Sequence, residues 1–366
     1  MLWGSKRDPL YVVLPITLAY VAIFVSGVVG NVSTCIVIAR NRHMHTATNY
    51  YLFSLAISDL LLLVAGMPPE MYHIWSNYPY VFGETFCILT GFASETSTNA
   101  TLLTITAFTV ERYVAICHPF FSHTLSKLSR AVKLIVLIWL LALSLAIPQV
   151  IQVGLVYAVD AKGEVISEEY KMCGLKKMVI PYSFEVSTLL FFLAPMTVIV
   201  VLYILIALRL RRSTVVNQRQ RPHHRDSRRS TTGNPTSTKR VVKMLVAVVV
   251  AFFICWAPFH FQRLYSIYAF EGDNTSSGNL MIYKIITYIS GLLYYLSTTV
   301  NPFLYNIMSL KFREAFKSTL AKCIGGSKKQ RTELGGSSGG GGGGGSLCPG
   351  RFNYSVLSHR LAIFHN

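Results

Sequence analysis

Charge is scarce in this chain, and where it is missing matters more than how little there is. Asp, Glu, Lys and Arg make up 14% of the 366 residues against 52% hydrophobic, with a mean hydropathy of +0.44. That leaves too little polar residue to coat a globule of this length, which excludes an ordinary soluble domain. Segments 10–39, 134–159, 186–208, 244–262 and 285–310 contain no charged residue at all. Segment 49–66 is broken only by Asp59 and segment 86–110 only by Glu95. None has the polar face that a surface helix of a soluble protein shows. As helices rising 1.5 Å per residue, all seven can cross about 30 Å of hydrocarbon. The fold class is therefore an all-α membrane protein, a seven-transmembrane helix bundle.

Other absences narrow the function. No internal repeat with broken helices relates two halves of the chain, and seven spans do not divide into two, which argues against a transporter. His260 lacks a second metal-type ligand in its segment, so it reads as a packed or ligand-contacting residue and a membrane enzyme is not expected. No metal site is expected either. Acids are outnumbered, 16 against 34 Lys and Arg, giving a formal charge of +18. The excess is concentrated rather than spread: 209–243 holds eleven Lys and Arg against Asp226 alone, and 311–333 holds seven against two acids. Both segments follow odd-numbered spans and so share one side, which the positive-inside rule makes cytoplasmic. Membrane lipid and a cytoplasmic partner are the expected counterparts of this charge, and no nucleic acid is expected. The first residues, 1–9, are then extracellular and short for docking a large ligand. No short apolar run with a small-residue cleavage site precedes Leu10, so the first helix is expected to act as its own insertion signal.

The spans are expected at about 10–39, 47–67, 84–117, 131–152, 181–211, 238–268 and 281–309, one domain over 10–309. Residues 310–322 place Phe312 and Phe316 on one face, which suits a short amphipathic helix on the membrane surface. Cys323 just beyond is a candidate acylation site. The cytoplasmic tail, 323–366, contains a Gly/Ser-rich linker. Cys87 and Cys173 both map outside, where an oxidising exterior lets them pair and pin the loop after the fourth span across the helix ends. Of the Asn-x-Ser/Thr triplets, only the one at Asn274 faces outside, making it the single candidate glycosylation site.

Ionisable or helix-breaking residues inside hydrocarbon are functional hypotheses by default, since their burial costs several kcal/mol unless they are paired or hydrated. Asp59 lies mid-span. Glu111-Arg112-Tyr113 ends the third span, 25 positions after Cys87. Phe252 and Trp256 precede Pro258 in the sixth span, and Asn301-Pro302 precedes Tyr305 in the seventh; each proline removes a backbone hydrogen bond and permits a kink.

In that order, and with Gly30-Asn31, Trp139, Pro148, Pro195 and Tyr203, these residues resemble the rhodopsin-like (class A) G-protein-coupled receptors over Asn31 to Phe316. The resemblance implies a switch: Arg112 pairs with Glu111 at rest and turns to Tyr203 and a G protein when the sixth helix swings outward, with Phe252 and Trp256 relaying ligand-induced repacking. It also implies an allosteric sodium pocket at Asp59, Thr101 and Asn301, and arrestin and receptor kinase as further partners. Thr238 stands where some members carry an acid that locks Arg112, so a weaker resting lock and higher basal activity are expected.

Tyr295 occupies the place of the opsin Schiff-base lysine and Ser94 that of the amine-receptor aspartate, so neither ligand class fits. The outer bundle offers Glu70, Glu95 and Arg263, with Phe259, His260, Tyr295 and other tyrosines as aromatic wall. A Glu95–Arg263 pair that braces the cavity is the plain alternative, and it would leave Glu70 for a cation. Two carboxylates in a low-dielectric cup favour an arginine-bearing ligand, because guanidinium binds carboxylate bidentately and stays charged. The runs Phe108 to Phe120, His123 to Ala131, Tyr294 to Pro302 and Tyr305 to Phe316 are similar to receptors for neuromedin U and their invertebrate pyrokinin and capa relatives. That resemblance implies an amidated neuropeptide ending Pro-Arg-x-amide, with Glu70 and Glu95 for its arginine, and Gq-type signalling through calcium from the plasma membrane. A receptor for another small peptide, ghrelin- or neurotensin-like, is the alternative.

Overall fold

The computed structural model describes residues 5–118, 128–160, 164–177, 179–219, 235–269, 277–308, 312–319 and 321, with backbone alone for 213–219, 235–245, 277 and 304–308. Asn274, Cys323 and the Gly/Ser-rich tail lie outside the described residues, as do the side chains of Thr238 and Tyr305.

Seven helices are long and apolar enough to cross a membrane. α1 is Leu10–Arg40 and α2 is Ala47–Trp75. α3 is Glu84–Cys117 and α4 is Leu128–Val150. Two short strands, β1 (Val153–Tyr157) and β2 (Lys171–Leu175), pair antiparallel before α5, which opens at Ser183 and runs to Arg219. α6 is Pro235–Tyr268 and α7 is Ser277–Met308, each with an internal proline, Pro258 and Pro302. α3 packs on α2, α4 and α5, and α7 packs on α6 and α1.

α2 departs from its expected end near 67 and continues to Trp75. A π-type turn over Leu62–Gly66 loosens the ladder, and Pro68 and Pro69 then fall in the first turn of the segment Met67–Trp75, where a missing N–H removes no helical bond. The extension carries Glu70 on helix rather than loop.

Burial is inverted relative to a soluble protein. Leu18 is 70% exposed and Val64 62%, while Asn31, Asp59, Ser97 and Thr101 are buried. An unsatisfied polar group in hydrocarbon costs several kcal/mol, so these side chains must find one another. Asn31 Nδ2 donates to the carbonyls of Gly27 (3.0 Å) and Thr298 (2.9 Å), tying α1 to α7. Asn301 Nδ2 donates to Asp59 Oδ2 at 3.0 Å, tying α7 to α2. The hydroxyls of Ser58 and Thr101 are 2.8 Å apart, and Ser97 donates to the Ser58 carbonyl at 2.6 Å, tying α2 to α3. Trp139 Nε1 donates to the Ser54 hydroxyl at 3.1 Å, tying α4 to α2.

One end of the bundle is roofed by the hairpin. Cys87, at the start of α3, is fully buried and disulfide-bonded to Cys173, which sits opposite Leu155 in the β ladder. Glu84 and Lys176 add an exposed ion pair of 2.8 Å alongside. Gly154 lets the hairpin approach this closely, since a Cβ there would lie 2.9 Å from Glu84 Oε1. The same end holds an N-terminal strap: Asp8 pairs with Lys284 and accepts from the Tyr288 hydroxyl (2.6 Å), while Asn77 N donates to the Lys6 carbonyl (2.9 Å). At the opposite end, residues 312–319 are helical, with Phe312 and Ala315 buried against Val37, Met44 and Leu52.

Candidate functional site

Beneath the hairpin lies a cavity of about 410 Å³, within the range usual for small-ligand sites. Six helices and both strands contribute to its wall, with Glu70 from α2, Glu95 from α3, Gln149 from α4, Phe184 from α5, Phe259 and Arg263 from α6, and Tyr294 and Tyr295 from α7. Gly66 lets α2 close on α3 and α7, since a Cβ there would lie 2.8 Å from Ser94 Oγ and 2.9 Å from the Tyr295 hydroxyl.

The charges in this cavity divide unevenly. Arg263 grips both carboxylate oxygens of Glu95, and its guanidinium lies 4.9 Å from the ring centroids of Phe184 and of Phe259. Those planes hold the guanidinium by cation–π attraction and fix its aim. Glu70 is half-buried and has neither hydrogen-bond nor ion-pair partner among the described residues. Glu70 and Glu95 against Arg263 leave one acid in excess of Lys and Arg among the lining residues.

Under the ion pair the aromatic side chains form a continuous column. Tyr294 stacks on Phe259 at 4.6 Å and meets Trp256 edge-on at 5.5 Å, and its hydroxyl lies 2.6 Å from that of Thr98. Tyr295 stands edge-on to Tyr294 at 5.1 Å. Trp256 then touches Phe252 at 6.1 Å, which stacks on Phe192 at 6.5 Å. Below Trp256 is a small cavity of about 30 Å³ lined in part by Thr101, Ser297 and Asn301.

At the far end of α3, Arg112 bonds Glu111 (3.1 Å) and the Thr48 hydroxyl of α2, and lies 5.3 Å from the centroid of Phe108. Tyr203 on α5 accepts from the Thr109 hydroxyl at 3.3 Å instead of meeting Arg112.

The cavity therefore gathers Glu70, Glu95, Arg263, Phe259 and Tyr295. It does not include His260, which stacks on Phe192 at 5.1 Å with Nδ1 3.2 Å from Thr188, turned toward α5. Asn301 bonds Asp59 mid-bundle while Thr101 bonds Ser58, and at the other end Glu111 pairs with Arg112 while Tyr203 bonds Thr109. Sequence reading missed Gln149, a polar residue that follows Pro148 in an otherwise apolar run, and Phe184. It also missed Thr48 as the partner of Arg112, for which the sequence carries no signal.

A seven-helix membrane bundle with a roofed cavity at one end, the Arg112–Glu111 pair at the other and an aromatic column between them is the architecture of a receptor that spans a bilayer. Residues 30–305 match the seven transmembrane receptor (rhodopsin family) family, and the chain belongs to it. It is a multi-pass receptor of the plasma membrane, in a family of receptors and not of enzymes. It is similar to the pyrokinin-1 receptor of Drosophila melanogaster, 48% identical over 90% of this chain and 86% of that one. It is also similar to neuromedin-U receptor 2 of Homo sapiens (38%, 87% of this chain and 74% of that one) and to the neuromedin U receptor homolog nmur-2 of Caenorhabditis elegans (37%, 87% and 82%).

Replacing Arg263 by Ala strands the Glu95 carboxylate. The expected result is a lower thermal midpoint in detergent, smaller than the about 3–5 kcal/mol of a fully buried pair because the partners keep 16% and 15% exposure. Adding Glu95→Gln removes the stranded charge and returns part of the loss. A double variant no more stable than Arg263→Ala would mean that Arg263 acts through its aromatic neighbours rather than through Glu95.

Proposed function

We propose that this chain is a receptor for an amidated neuropeptide of the Pro-Arg-x-amide type and signals through a heterotrimeric G protein of the Gq type, releasing calcium. The observation that carries the reading is Glu70, a half-buried carboxylate lining the cavity with no hydrogen bond or salt bridge among the described residues. The Arg263–Glu95 pair is already neutral, so the cavity accepts one added positive charge. An arginine side chain supplies that charge in a form that stays protonated and can bind a carboxylate through two N–H donors. The names of the relatives, pyrokinin and neuromedin-U receptors, agree with a peptide ligand. On this reading the disulfide end is extracellular and the Arg112 end meets the G protein, consistent with the basic excess of 209–243 and 311–333. Arrestin and a receptor kinase would act on the same face.

Signalling would proceed by release of resting contacts. Arg112, now held by Glu111 and Thr48, would turn toward Tyr203 as α6 moves, driven by repacking of Phe259, Trp256 and Phe252 around the ligand. Pro258 and Asn301-Pro302 are where α6 and α7 can bend without breaking a complete ladder.

Asp59 extends the proposal to a sodium ion. Its carboxylate is 2% exposed, and no cationic side chain stands against it among the described residues. Asp59, Thr101 and Asn301 would supply oxygen donors suited to a hard cation if the Asn301 amide, whose Nδ2 now donates to Asp59, turned its oxygen toward the ion. Bound there, sodium would neutralise Asp59 and favour the resting packing.

Three results test these roles. In cells expressing the chain, an amidated Pro-Arg-x peptide should raise cytosolic calcium, and Glu70→Gln and Glu95→Gln should each weaken its potency by about ten- to a hundredfold, or about 1.4–3 kcal/mol. Unchanged potency in both variants would remove the arginine seat. Arg112→Ala should keep surface expression and lose the calcium response; a normal response would contradict the switch role. Exchanging sodium for N-methylglucamine should raise agonist affinity in the wild type and leave Asp59→Asn unmoved, and an equal rise in both would place the cation elsewhere.

A further inference from the structure

Gln149 is the last but one residue of α4 and is 9% exposed. Its Nε2 donates to the Ser183 carbonyl at the start of α5 at 3.0 Å. That bond fixes the direction of the side-chain amide, because turning it over would set two oxygens against each other. The remaining atom, Oε1, is buried and has no hydrogen-bond partner among the described residues, although Gln149 lines the cavity. A buried acceptor left without a donor costs about 1–3 kcal/mol. The Tyr80 hydroxyl, also buried, unpartnered and lining the cavity, can turn to donate or accept and so expresses no preference. Gln149 Oε1 can only accept.

We propose that Gln149 reads the amidated terminus of the ligand, its Oε1 accepting an N–H of the C-terminal carboxamide. The proposal rests on the peptide reading above. With the guanidinium at Glu70 on α2, a cavity of about 410 Å³ holds little beyond that arginine and the residue after it. The terminal group therefore lies inside, on the walls not taken by α2. A carboxamide offers two N–H donors to an oxygen that lacks one. A free carboxylate offers none, and it brings a negative charge against the oxygen of Gln149. The same peptide without amidation loses the hydrogen bond and gains a repulsion, so one residue turns a terminal modification into a selectivity filter. An unpaired buried polar group rejects an analogue that lacks its partner more strongly than an apolar wall can.

The test is competition binding on cells, against a labelled amide peptide, with four ligands that share one sequence and differ only at the terminus: primary amide, N-methylamide, N,N-dimethylamide and free acid. In the wild type the first two should bind alike, and the dimethylamide and the acid at least about tenfold more weakly, the effect of one lost hydrogen bond to a buried acceptor. In Gln149→Met, of similar volume and without the acceptor, the gap between amide and dimethylamide should close to within about threefold. Damage to the fold lowers all four together and leaves their ratios unmoved, so the ratio separates recognition from structure. If Gln149→Met does not reach the surface, Gln149→Asn, which withdraws the oxygen by one methylene, takes its place with the same expected narrowing. A dimethylamide equal to the amide in the wild type, or a variant that keeps the full gap, overturns the assignment. If no member of the series displaces the label from the wild type, the peptide reading fails and this one with it.

Discussion

Hydrocarbon supplies no hydrogen bonds, and that constraint sorts every polar residue of this bundle into one of two groups. Those with partners make the fold: Asn31 to the α7 backbone, Asn301 to Asp59, Ser58 to Thr101 and Trp139 to Ser54 are the crosslinks that set helix order in a medium where apolar side chains gain nothing by meeting. Among those left short, Glu70, Gln149 with its unbonded Oε1, and Tyr80 line the roofed cavity, while Asn31 Oδ1, Thr96 and His260 Nε2 lie elsewhere in the bundle. Asp59 is a buried carboxyl with one amide, that of Asn301, bonded to it. A soluble protein can leave such groups to water, whereas hydrocarbon offers them none.

The cavity and the switch share α3 and α6. Arg263 and Glu95 join those two helices at the cavity, and the column Phe259, Trp256, Phe252 descends α6 from that joint, meeting Phe192 on α5 at its foot. Close-packed aromatic side chains do not deform continuously; they repack between discrete arrangements. A ligand that competes for Glu95 or presses on Phe259 therefore acts on the element whose displacement would expose the far end.

Seven spans, the disulfide and the charged residues of the cavity were legible from composition and order, because uncharged runs and isolated ionisable residues survive translation into one dimension. Directions were not. His260 shares a helix face assignment with the cavity in any sequence count, yet it is drawn to Thr188 and Phe192 on α5. The pair Pro68-Pro69 reads as a helix end, and only the π-type turn at Leu62–Gly66 shows why α2 runs on and brings Glu70 inward. The strap of Asp8 to Lys284 links residues 276 positions apart, a separation that leaves no local pattern.

At the Arg112 end, α6 offers no acid. From Pro235 to Tyr268 the helix contains no Asp or Glu, so no residue of it can form an ion pair with Arg112. Arg112 is engaged instead by its neighbour Glu111, the Phe108 ring and Thr48 of α2. None of these contacts restrains α6. Its resting position then depends on apolar packing, with Val248 and Val249 against the cluster of Ile199, Tyr203 and Ile206, and on the Arg263–Glu95 pair at the opposite end. Among the described residues the polar contacts of α6 lie toward the cavity end: the Arg263–Glu95 pair, Gln262 to Tyr283 and Thr287, His260 with Thr188, and Tyr268 to Glu185. A ligand that loosened the Arg263–Glu95 pair would act directly on a contact that holds α6, with no ion pair from α6 to Arg112 to oppose it.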